Sequence, residues 1–301
     1  MPPPMPDSKI VSEVLPDKKQ LPLQDLYLDQ RLAMMSAQME RALVVTTFLA
    51  DRNGVIAKAD EHHHFHVPAE MRNASDWRLS QELMAQADVI ICGGSYLRRL
   101  SALGSYAQDI LNQFEPAGEF EQLGEWRLRA GYPRRSPDLA VIVRHLDFNI
   151  PEKVLRSGRR TAIFTTRDMA DSDRARTFMA SGTAVVAGGE SGVDGNLMID
   201  YLRDEMGHRV IVMASGPSVL ELLLRSKRLE LLYLTQVERE IPFDDPSTVI
   251  TFLPNGRGIE DLKAFRLTHQ FFQDHAVAAD GSAISQFFAR YDREDVSPAA
   301  A

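Results

Sequence analysis

Residues 209–224, RVIVMASGPSVLELLL, set an apolar run directly before a glycine-proline turn and a second apolar run. The first run suits a buried strand, Ala214 to Ser218 the turn, and the second run a helix. Gly216 has no side chain to hold a ligand away from the backbone. Pro217 fits a first helical position, where a missing N–H costs nothing. The free N–H groups of that helix start carry partial positive charge, so the turn is suited to seat a phosphate or pyrophosphate. An ordinary strand-to-helix connection shows the same pattern, so the rest of the chain must decide.

Residues 88–99, DVIICGGSYLRR, repeat the arrangement, with Gly93 and Gly94 after a strand and Ser95 placed to cap the next helix. Ligands of open parallel sheets bind outside the carboxyl ends of the strands, so both glycine turns belong on one edge. Neither carries the full dinucleotide fingerprint; together they point to a nucleotide-type ligand. Two further strand ends add polar groups: Thr165 and Thr166 before Arg167, and Arg144 with His145. Cations and hydroxyls there suit a 2′-phosphate, which favours NADPH over NADH. Arginines that merely solvate loop ends are the plain alternative.

Other groups are less telling. His62, His63, His64 and His66 form a run in which alternate members share a face if extended. No carboxylate or cysteine pattern of a known metal site accompanies it, so no metal is expected and the run is read as a polar loop near the site. Cys92 ends a buried strand and is expected in the core. No G-x-S-x-G elbow or other nucleophile constellation is present, and no catalytic residue can be named. The acidic pairs Asp244–Asp245 and Glu260–Asp261 are expected in solvated turns.

Elements that would position these groups alternate along the chain. Apolar runs at 89–92, 139–143, 161–166, 183–187 and 209–213 predict strands, and 42–50 a further one. Helices are predicted over 25–40, from a cap at Ser75, over 168–181, and over 194–206 with Asp194 opening it. Strands rich in Val and Ile with helices between them imply an α/β fold with a mostly parallel central sheet covered by helices on both faces. The segments after 228 are expected as antiparallel strands. Residues 1–22 hold six of the sixteen prolines and are expected as a mobile leader, and 294–301 as a frayed tail. Between them, 23–293 is expected as one domain, with a polar insertion at about 101–138 serving as a lid or oligomer contact.

Composition bounds the rest. The 301 residues are 44% hydrophobic and carry a net charge of −8, which argues against a nucleic-acid or polybasic membrane surface. A single cysteine excludes a disulfide framework and suits a reducing cytoplasm. No apolar run approaches the roughly 18 residues of a membrane span.

Three segments in order, ADRNGVIA (50–57), ADVIICGGSYLR (87–98) and VMASGPSVLELLL (212–224), resemble the reductase domain of the bacterial bifunctional riboflavin-biosynthesis deaminase/reductase, of the dihydrofolate-reductase-like superfamily. The resemblance covers roughly residues 42–291. It implies a cytoplasmic, homodimeric NADPH-dependent reductase that transfers hydride to a ribosylated aminopyrimidine phosphate and opens its ribose. It also implies Ala50 and Asn53 by the nicotinamide and Gly93, Gly94 and Ser95 under the phosphates. Ser215, Gly216, Pro217, Ser218 and Val219 would hold the pyrophosphate, with Arg144 or Thr165 and Thr166 near the adenine ribose. Asp51, Tyr96 and Ala214 fall where the family faces its substrate. Asp51 and Asn53 replace a Ser and an Asp of the family turn, Ala214 its Glu, and Ser215 its first Gly. Met84 and Leu100 stand where an arginine and an acid are expected. The cofactor positions thus match better than the substrate positions. A reductase of another carbonyl, imine or pteridine substrate, and a non-catalytic nucleotide-binding protein, are the alternatives. With one cysteine, the chain has no deaminase zinc site.

Overall fold

Strands buried on both faces must be apolar along their whole length, and this requirement shapes the middle of the molecule. The computed structural model describes residues 10–94, 97–98, 114 and 116–295. In chain order come β1 (Ile10–Leu15), β2 (Gln20–Pro22), α1 (Leu32–Met39), β3 (Leu43–Ala50), β4 (Val55–Ala59), β5 (Phe65–His66), α2 (Ala74–Ala85) and β6 (Val89–Gly93). There follow α3 (Glu121–Arg129), β7 (Asp138–Ile142), α4 (Glu152–Arg156), β8 (Thr161–Thr166), α5 (Arg167–Ala170), α6 (Asp173–Ala180), β9 (Ala184–Gly189) and α7 (Gly195–Asp204). The chain continues with β10 (Val210–Met213), α8 (Pro217–Arg225), β11 (Leu231–Val237), β12 (Val249–Thr251), β13 (Phe265–Val277) and β14 (Ala283–Arg293). Contacts divide these into two compact units.

The unit formed by 31–44 and the described part of 83–229 holds a sheet in the order β10-β6-β7-β8-β9, every neighbouring pair parallel. These are the five strands predicted from the Val/Ile runs. Ile90, Ile91, Val141, Ile163, Ile211 and Val212 are fully enclosed. Asp194 caps α7 as expected, its carboxylate accepting from the N–H groups of Asn196 and Leu197. The helix predicted over 168–181 is split, because Ser172 takes an extended backbone and caps a new helix through the Ala175 N–H. The one predicted over 25–40 is likewise interrupted: Arg31, in the left-handed region, separates a 3-10 turn at Leu28–Gln30 from α1.

The unit formed by 10–30, 45–82 and 230–295 orders its main strands β2-β1-β13-β14-β11-β3. The long β13–β14 hairpin and its pairing with β11 are antiparallel, as expected, while β11 runs parallel to β3. A small sheet, β12-β4-β5, belongs to the same unit. Two expectations are corrected here. Residues 10–22, read as part of a mobile leader, form β1 and β2, with β1 paired to β13. Only Val11 and the charged Glu13 of β1 are buried, so the strand carries almost no apolar alternation. And α2 is capped by Asn73, not Ser75: its side-chain oxygen accepts from the N–H groups of Ser75 and Asp76 at 3.1 and 2.9 Å.

Much of the segment expected as an insertion, 101–113 and 115, lies outside the described residues. Its remainder folds as a 3-10 turn at Gly118–Phe120 and α3. Among the described residues no helix is long and apolar enough to cross a membrane.

Candidate functional site

Parallel register determines which turns share an edge. Met213 stands opposite Ile91, Gly93 opposite Ile142, and Ile142 opposite Phe164. The residues that follow, 214–218, 94, 143–144 and 165–166, therefore line the carboxyl edge of one parallel sheet, where ligands of such sheets bind. Four separate stretches of sequence meet there.

The turn after β10 is firmly held below and open above. The Ala214 N–H donates to the Ile91 carbonyl at 2.9 Å, and the Ser215 N–H points to the Met213 sulfur at 3.1 Å. Val219, Leu220 and Leu223 are buried and fix α8 in the core. Gly216 is the N-cap of α8 with an extended backbone, and no side chain caps this helix start. A Cβ built on Gly216 meets no atom within 4 Å. Gly216 and Ser218 are exposed. A rigid helix start with an uncapped end and open space above it is the arrangement an anionic group needs.

The neighbouring turns play other parts. A Cβ on Gly94 would lie 2.4 Å from Val143 Cγ1, so glycine there allows the turn to pack on the end of β7. Gly93 is half-buried. Thr165 is buried, and its hydroxyl donates to the Arg144 carbonyl at 3.4 Å; it shapes the edge without facing solvent. Thr166 is half-buried and Arg144 exposed. Arg167 is paired with Glu190 at 2.6 Å. Cys92 is enclosed, and burial pushes its thiol up to about 12, which leaves it inert in the core as expected. Ser95 and Tyr96 lie outside the described residues.

In the other unit, Ala50 ends β3 and the turn 51–54 leads into β4. Asp51, expected to face substrate, is only 1% exposed. Its carboxylate accepts from the N–H groups of Asn53, Val55 and Ile241, each at 2.8 Å. Every one of these contacts is to backbone, so Asp51 staples the turn. Asn53 is exposed at the tip.

One group in this unit was missed from the sequence. Asp76 sits in the first turn of α2, and burial pushes its carboxyl up to about 6 against an opposing hydrogen bond from the Thr235 side chain on β11. A carboxyl that titrates near neutrality is suited to hold or release a proton. Nothing local marks it; an aspartate beside a cap is common helix-start chemistry.

No protein-family model and no curated protein sequence matches the chain. Solved structures do. A pyrimidine reductase-like protein of Corynebacterium diphtheriae superposes with a TM-score of 0.55 at 18% identity, over 84% of this chain and 92% of that one. The riboflavin biosynthesis reductase of Saccharomyces cerevisiae gives 0.50 at 14% identity, over 89% and 100%. The Thermotoga maritima diaminohydroxyphosphoribosylaminopyrimidine deaminase/5-amino-6-(5-phosphoribosylamino)uracil reductase gives 0.52 at 11% identity; the match spans 87% of this chain but only 59% of that longer one. The chain thus has the α/β fold of the riboflavin-pathway reductases.

Proposed function

From this shared fold we propose that the chain is an NADPH-dependent reductase that transfers hydride to a small pyrimidine-linked substrate, of the kind reduced by 5-amino-6-(5-phosphoribosylamino)uracil reductases. The observation that carries the reading is the uncapped start of α8 beneath open space at Gly216, on the carboxyl edge of a parallel sheet. Backbone groups of Ser215 to Val219 would hold the pyrophosphate, with Gly93, Gly94 and Ser95 alongside. Arg144 and Thr166 are the groups for a ribose phosphate, Thr165 acting by fixing residue 144. Ala50 and Asn53 are assigned to the nicotinamide end. When bound, the dihydronicotinamide supplies the hydride.

The residues of the chain orient the reactants and exclude water. Two observations favour a different carbonyl, imine or pteridine substrate as the second reading. Asp51 spends its carboxylate on the backbone, and Ala214 places a methyl where the resemblance expects an acid.

NADPH-dependent turnover of an aminopyrimidine riboside phosphate, followed by loss of nicotinamide absorbance, tests the reading; saturable NADPH binding without that turnover would favour the second reading. Asp76 gives a stability readout of its own. A raised folded pKa penalises the ionised form, so the cost begins above the unfolded carboxylate value of about 3.9 and is complete above pH 6. Asp76→Asn should therefore stabilise the protein by about 2 kcal/mol at pH 7, allowing for solvent screening, and by nothing at pH 3.

A further inference from the structure

The turn between β4 and β5 folds the histidine run back onto a neighbouring carboxylate. Asp60 precedes the histidine run, and the backbone folds back on it: its N–H donates to the His64 carbonyl at 2.9 Å, and the His63 N–H donates to its carbonyl at 3.0 Å. One carboxylate oxygen, Oδ1, accepts from the N–H groups of His62 and His64 at 2.8 and 2.9 Å. Those two bonds fix the carboxylate plane and leave Oδ2 facing outward. Oδ2 lies 3.0 Å from His66 Nε2 and 3.9 Å from His64 Nδ1. One ligand atom from each of the three residues lies within 4.8 Å of the others.

We propose that Asp60, His64 and His66 form a surface binding site for a borderline divalent transition-metal ion of the zinc, nickel or copper(II) class. Two imidazoles and one carboxylate suit such ions, whereas calcium and magnesium prefer all-oxygen sets. Zinc ligands at 2.0–2.1 Å from the ion stand about 3.3 Å from one another in a tetrahedron. The observed separations, all within 4.8 Å, differ from that by about 1.5 Å or less, which side-chain rotation can close. The His64 and His66 side chains are 72% and 50% exposed, so no packing resists the rotation. The backbone bonds to Oδ1 act as the outer-shell support that holds a ligating carboxylate in place. Three protein ligands leave the remaining positions to water, and the bound ion would clip residue 60 to residue 66 across the turn. The site is independent of the reductase reading, since it uses none of the residues assigned there.

Zinc titration of the full chain, free of any added histidine tag, by calorimetry and by competition with a chromogenic chelator, tests this. Wild type should bind one equivalent saturably, with calcium failing to compete. His64→Ala and His66→Ala should each weaken binding at least tenfold. Asp60→Asn should weaken it as well, while its remaining oxygen still accepts from the turn. His62→Ala and His63→Ala should bind as wild type, and thermal melts of all variants should match. Absence of saturable zinc binding to wild type would overturn the proposal. So would binding that survives His64→Ala and His66→Ala, or that is lost equally on His62→Ala.

Discussion

Gly216→Val is expected to weaken NADPH binding at least tenfold while leaving the protein folded, with only the small loss of stability that a poorer N-cap brings. The backbone at Gly216 is extended, with φ −81° and ψ −178°, which any L residue adopts. No atom lies within 4 Å of a built Cβ, so valine displaces nothing in the folded chain. Its methyl groups would instead fill the space above the α8 start. A phosphate oxygen must come within about 2.9 Å of an N–H there to make a charge-assisted bond. Losing one such bond costs roughly 1.5–3 kcal/mol, or more than tenfold in affinity. Nicotinamide fluorescence and a parallel melt give both readouts, and an unchanged affinity would remove the turn from the site.

Arg127→Leu should destabilise the protein by about 3 kcal/mol, the largest folding effect anticipated for a single side chain here. Arg127 is 1% exposed. Its Nη1 donates to the carbonyls of Ala85 and Ala87 at 2.7 and 2.6 Å, and its Nε to that of Arg134 at 3.1 Å. The guanidinium lies 4.3 Å from the centre of the Tyr132 ring. Burial pulls its pKa down to about 10, so it stays charged at neutral pH. Leucine would leave two buried carbonyls, those of Ala85 and Ala87, and the part-buried one of Arg134 without this donor. Lysine should recover only part of the loss, because its single ammonium cannot span the planar fork. Urea denaturation checks this; a leucine variant as stable as wild type would show that Arg127 does not tie α3 to the end of α2 and the link that follows it.

Arg127 also marks where sequence reading stopped. Within a stretch of arginines, glycines and prolines it looks like one more solvated charge, and only the tertiary placement of Ala85, Ala87 and Arg134 turns it inward. The same holds for Asp76, whose shift comes from burial beside β11, and for Asp60, whose carboxylate meets the histidines only once the turn closes. Asp51 fails as a substrate group for a related reason: one of its three partners, Ile241, is remote in sequence. By contrast, β6 to β10 were legible because strands buried on both faces announce themselves as unbroken Val/Ile runs. The cap at Asp194 and the glycine-proline turn were legible because their chemistry is local. β1 was not, since a strand whose buried positions are one valine and one glutamate carries no apolar alternation to detect.

NADPH binding is the claim on which the functional reading rests. Titration of the full chain with NADPH, followed by nicotinamide fluorescence, should give saturable binding of one equivalent per chain. NADH should bind at least tenfold more weakly, for want of the 2′-phosphate. Absence of saturable NADPH binding would contradict the account.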